Sequence, residues 1–169
     1  MKKLLLTIAL ILSLSMPAWA VDETTTVSGD ELFYNNKTGL LNYRMITIAV
    51  LAASDDAAMA TLDLNGDTTG LVHGPLLGWF AYSMDIDCNH AGTEPTEDTD
   101  ITILQNGGDM LDGNGTDMLD NTAERSVYFA TDGLGMPKPI SRTITVTPDS
   151  AVSNAVNSAT CTLYFYLVP

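Results

Sequence analysis

From Tyr43 onward, apolar and polar side chains alternate in short runs separated by turn-forming residues. Tyr43 to Ala52 places Ile46, Ile48 and Val50 on one face, and Ala58 to Leu64 does the same with Ala60, Leu62 and Leu64. Leu76 to Ile86 is the longest strand candidate, with Leu76, Phe80, Tyr82, Met84 and Ile86 on one side and Gly78 at a bulge. Ile101 to Leu104, Ser126 to Ala130 and Arg142 to Thr147 are shorter runs of the same kind. In Ser158 to Leu167, Ala159, Cys161, Leu163, Phe165 and Leu167 face one way, and Thr160, Thr162, Tyr164 and Tyr166 the other. Period-two alternation with one apolar face is the signature of strands that are half buried. A succession of such strands with almost no helical periodicity predicts an all-β, antiparallel β-sandwich or jelly-roll-like single domain. The boundaries expected are a polar N-terminal arm over 21–42, with one short strand at Thr25 to Ser28, and the sandwich over 43–169.

The first twenty residues break this pattern. Lys2 and Lys3 precede an apolar run from Leu4 to Leu14, Pro17 interrupts it, and Ala18-Trp19-Ala20 places small residues where a signal peptidase reads. This is the arrangement of a secretory signal peptide, and the apolar run is too short for a span of roughly 20 residues. Cleavage is expected after Ala20, giving a mature chain from Val21 with no membrane span. Its expected location is the periplasm, the medium or the cell surface.

Export changes the meaning of charge and cysteine. Without the leader, five basic residues (Lys37, Arg44, Arg125, Lys138, Arg142) stand against 21 acidic ones, a net charge of −16. Such a chain repels nucleic acid and anionic lipid, so neither is an expected partner. The acidity favours solubility and attracts cations. An even pair of cysteines in an oxidising compartment, Cys88 and Cys161, predicts a disulfide, with two buried thiols as the alternative. Cys88-Asn89-His90 with the distant His73 falls short of a structural zinc set.

Two long connections, Asn89 to Asp100 and Gln105 to Glu124, are the places where a site is expected, because loops of this length are often functional. Within the second, Asp109-Met110-Leu111-Asp112 recurs as Asp117-Met118-Leu119-Asp120. The carboxylates of Asp109, Asp112, Asp117 and Asp120 form an oxygen-rich candidate set for calcium, set against a solvated loop. Asp63-Leu64-Asn65-Gly66-Asp67 begins like a calcium loop but has Thr68 where glycine belongs, so a hairpin turn is the better assignment. No nucleophile elbow or complete dinucleotide loop is present, and no enzyme activity is expected. Among aromatic residues, Trp79, Tyr82, Tyr164 and Tyr166 are the candidates for stacking on a sugar ring or forming a protein interface, set against the commoner role of core or packed sheet face.

Thr93-Glu94-Pro95-Thr96, Asp100-Ile101-Thr102-Ile103-Leu104 and Gly108-Asp109-Met110-Leu111-Asp112-Gly113 form a familiar series. With the threonine-rich strand Thr143 to Thr147, the small-residue turn Asn154 to Ser158 and the last strand Thr160 to Leu167, it resembles small β-rich structural proteins of tailed bacteriophages. The resemblance covers about Leu76 to Val168. It implies a sandwich with a virion-surface or decoration role and carries no catalytic residues with it; a leader peptide and two cysteines lie outside that pattern. The function expected is therefore a non-enzymatic β-sandwich acting in assembly or surface binding. The alternatives are a secreted module for a surface glycan or other ligand, and a fimbria-like subunit whose N-terminal arm donates a strand to a neighbour.

Overall fold

A computed structural model describes residues 24–52, 61–64, 70–88, 100–116, 118–119, 124–129, 136–148 and 159–169. The proposed leader and its cleavage point lie outside these residues, as do Asn65-Gly66-Asp67 and most of the Asn89 to Asp100 connection. Among the described residues ten strands follow in chain order: β1 (Thr24–Tyr34), β2 (Leu41–Ala52), β3 (Leu62–Asp63), β4 (Phe80–Cys88), β5 (Ile101–Gln105), β6 (Gly108–Asp109), β7 (Arg125–Tyr128), β8 (Lys138–Pro139), β9 (Ile144–Pro148) and β10 (Ala159–Val168). They form two antiparallel sheets packed face to face, a β-sandwich, as the alternation predicts. The larger has the order β1-β2-β10-β4-β7, with β8 also on β4; the smaller has the order β3-β9-β5-β6. Each of the last two strands sits inside one sheet, β9 between β3 and β5, and β10 between β2 and β4.

The core lies between the sheets. Ile46, Ile48 and Val50 of β2, Cys161, Leu163, Phe165 and Leu167 of β10, and Met84 and Ile86 of β4 meet Ile101 and Ile103 of β5 and Ile144 and Val146 of β9. Burying each such side chain contributes roughly 1.5–3 kcal/mol relative to exposure. Phe129 packs on Phe165, ring centroids 5.1 Å apart.

Several sequence expectations need correction. The 21–42 segment is not a separate arm with one short strand: Thr24–Tyr34 pairs along β2 and forms one end of the larger sheet. Leu76 to Trp79 is not part of the long strand. Gly78, at φ +89°, stands in a turn whose N–H donates to the Ile140 carbonyl, and β4 begins only at Phe80. The bulge lies further on. Ser83 pairs with Tyr166 but Ala81 pairs with Leu167, so Tyr82 is the extra residue and the strand's parity reverses there. Ala81 is therefore buried, while Phe80 and Tyr82 are 39% and 42% exposed.

The Gln105 to Glu124 segment is more than a loop. Asn106 and Gly107, both at positive φ, turn a tight hairpin between β5 and β6. After it, Met110, Leu111, Met118 and Leu119 are buried in the core. The repeated Asp-Met-Leu-Asp motif thus supplies two apolar plugs. Gly115 allows this segment to close on β5: Ile101 N–H donates to its carbonyl at 2.8 Å, and an added Cβ would collide with the Ile101 carbonyl oxygen.

Cys88 and Cys161 lie directly opposite each other on β4 and β10 and form a disulfide with Cα atoms 4.0 Å apart. The bond joins neighbouring strands of the larger sheet on its buried face.

Candidate ligand-binding site

Strand alternation that sends Ile46, Phe165 and Met84 inward sends Tyr43, Tyr164, Tyr166 and Asp85 outward. The bulge at Tyr82 turns that ring to the same outer face, and Tyr128 of β7 joins it. Five of the six tyrosines therefore share one exposed sheet face. Tyr43, Tyr82, Tyr128 and Tyr166, with Asn42, Ser83, Asp85 and Val168, line a hollow of about 450 Å³. Tyr82 and Tyr128 meet at 82° with centroids 5.7 Å apart, and Tyr43 and Tyr166 at 63° and 5.8 Å. Phe33 of β1 stacks on Tyr43 at 4.5 Å and backs that wall.

Asp85 is the charged group in this hollow. It accepts a hydrogen bond from Ser126 Oγ at 2.7 Å. Burial, then the charge of Asp85 and the hydrogen bond to it, raise the Tyr166 hydroxyl above the ordinary tyrosine pKa. The Tyr166 hydroxyl donates to the Asp85 carboxylate. Asp85 and Tyr166 also border a second hollow of about 300 Å³, which adds Met45, Asp87, Glu124, Arg125 and Tyr164.

The aromatic candidates thus divide. Tyr82, Tyr164 and Tyr166 come together on the outer face. Trp79 does not: it packs against the core under the guanidinium of Arg44, 5.5 Å from its ring centroid. Arg44 is completely buried and makes a bidentate pair with Asp30, 2.8 Å at both contacts. Its nitrogens also donate to the carbonyls of Gly74 and Pro75, and His73 N–H donates to Asp30. Burial pushes the Asp30 carboxyl up, but the Arg44 and His73 hydrogen bonds and the Arg44 charge outweigh it and hold the group below the ordinary value. This network fastens the chain before β4 to β1 and β2.

Of the proposed cation set, Asp109 and Asp112 are among the described residues. Asp109 accepts from the N–H groups of Leu111 and Gly113, and Asp112 pairs with Lys138 at 2.7 Å; Asp117 and Asp120 lie outside the described residues. Lys138 also donates to the Met110 carbonyl, so these groups hold the plug segment in place.

Tyr43, Tyr128 and Asp85 were not among the sequence candidates. Tyr43 and Asp85 carried a signal, since each has the outward parity of its strand. Tyr128 stands between inward Val127 and Phe129, but only the pairing of β7 with β4 brings it beside Tyr82. No protein-family model and no curated protein matches this chain. Among the described residues no helix is long and apolar enough to cross a membrane.

Proposed function

We propose that this protein is an exported, non-enzymatic β-sandwich that binds an extracellular or cell-surface partner through the outer face of its larger sheet. The observation that carries this is the convergence of four tyrosines and one carboxylate around a single hollow on that face. Aromatic side chains are enriched at interfaces, and contiguous exposed apolar patches mark interaction sites. Export rests on the leader pattern, and the disulfide suits an oxidising compartment. The test is retention of the oxidised mature protein on panels of immobilised polysaccharides, peptides and whole cells. Retention should occur on at least one surface and fall at least about tenfold in Tyr128→Ala, the loss of roughly 1.4 kcal/mol. Retention nowhere, or retention indifferent to Tyr128, would refute it.

Assembly is the second reading, in keeping with the resemblance to phage decoration proteins and with a fimbria-like fibre. It is favoured by β1, which stands at the end of the larger sheet order. Such an edge is a template for a strand from another copy. Sedimentation of the mature protein over a range of concentrations decides it, since a concentration-independent monomer excludes self-assembly. A virion location would be the outcome if the protein co-purified with particles.

A further inference from the structure

The four tyrosines around the hollow are not a flat platform. Their two pairs meet at 82° and 63°, so the rings wall the space from different directions. Rings inclined to one another in this way offer no shared flat platform and border a concave hollow of about 450 Å³, a size that accepts a compact group. Ring faces carry negative quadrupole potential, which attracts a cation placed within about 6 Å of them. Asp85 adds a carboxylate, and among the described residues the hollow's lining contains no basic side chain. The adjoining hollow adds Asp87 and Glu124 against Arg125, on a chain whose net charge is −14 with its leader. Shape and charge therefore select the same ligand chemistry.

We infer that Tyr43, Tyr82, Tyr128 and Tyr166, with Asp85, form a cage for an alkylammonium group of the ligand. The proposal rests on the binding role given to this face and narrows it to a class. Ser126 and Tyr166 hold the Asp85 carboxylate in position. The rings replace the weak hydration shell of a methylated or alkylated nitrogen at little desolvation cost. Asp85, Asp87 and Glu124 outnumber Arg125 around the two hollows and so disfavour an anion beside the nitrogen, which makes a free alkylammonium preferred over a phosphocholine headgroup.

Calorimetric titration of the oxidised mature chain with choline tests this. Choline should bind at least about tenfold more tightly than dimethylbutanol, its neutral carbon isostere, because only the charge differs. Asp85→Asn and Tyr128→Ala should each weaken choline at least about fivefold, and Tyr128→Phe should retain it. Tyr128 is 59% exposed, so its variants are expected to fold, and unchanged melting temperatures verify this. Phosphocholine and phosphatidylcholine vesicles should bind more weakly than choline; equal or tighter binding would overturn the preference for a free cation. Equal affinity for choline and dimethylbutanol, or choline binding indifferent to both Asp85 and Tyr128, would overturn the cage. Should choline fail while a surface is still retained through Tyr128, the cation class falls and the binding face stands. Failure of both removes the face itself.

Discussion

At the scale of single residues, the most consequential group is one that no motif marks. Asp30 and Arg44 are a buried, bidentate pair that also bonds to the backbone of Gly74, Pro75 and His73. Removing one partner leaves an uncompensated buried charge, so Asp30→Ala should cost about 3–5 kcal/mol in urea denaturation. The Asp30 carboxyl titrates below its ordinary value of about 3.9, so its contribution is fully present above that pH. It is lost as pH falls through the lower folded-state value, and the urea midpoint should drop correspondingly in wild type below about pH 4. In Asp30→Ala this part of the pH dependence should vanish. Arg44 was legible in one respect: it shares the parity of Ile46, Ile48 and Val50, which places a guanidinium on the buried face. Its partner, fourteen positions away on another strand, was not legible. Trp79 is half-buried, packed against the core with the Arg44 guanidinium over its ring, a placement that likewise depends on distant segments.

At the scale of elements, the alternation of β2 and β10 located both strands to within two residues, and Ile46, Ile48, Val50, Cys161, Leu163, Phe165 and Leu167 are buried as that alternation requires. It failed in β4, where the bulge at Tyr82 reverses the parity. A measurable consequence follows. Phe80→Ala should cost about 1 kcal/mol or less, whereas Met84→Ala should cost about 2–5 kcal/mol, although the uninterrupted pattern gives both residues the same face. Equal costs in chemical denaturation would contradict the bulge. The segment after β5 shows a second limit. Its Asn106-Gly107 pair is a strong hairpin signal, yet the surrounding Asp, Gly and Asn composition makes the whole stretch look solvated. Composition averages over Met110, Leu111, Met118 and Leu119, and so misses that these four are core.

At the scale of the whole molecule, the larger sheet is completed only when β10, the last strand, enters between β2 and β4. The disulfide fastens that insertion, with a sequence separation of 73 between its cysteines. Replacing both cysteines by alanine should lower stability by about 2–4 kcal/mol, checked against the oxidised protein in urea. Intact-mass measurement on protein recovered from the periplasm or medium should show a chain beginning at Val21 with two protons missing. A chain beginning at Met1 with free thiols would contradict export.

The sequence by itself determined the sandwich class, most strand positions, the inward faces of β2 and β10, and the cysteines to be paired. These depend on local periodicity and on a small number of compatible residues, and both are written along one chain. Only the tertiary structure decided the tyrosine site and the Asp30–Arg44 lock. Tyr43, Tyr82, Tyr128 and Tyr166 come from four strands, and their convergence depends on strand order, on register and on one bulged residue. Those are properties of pairing between distant segments, and local alternation carries no record of them.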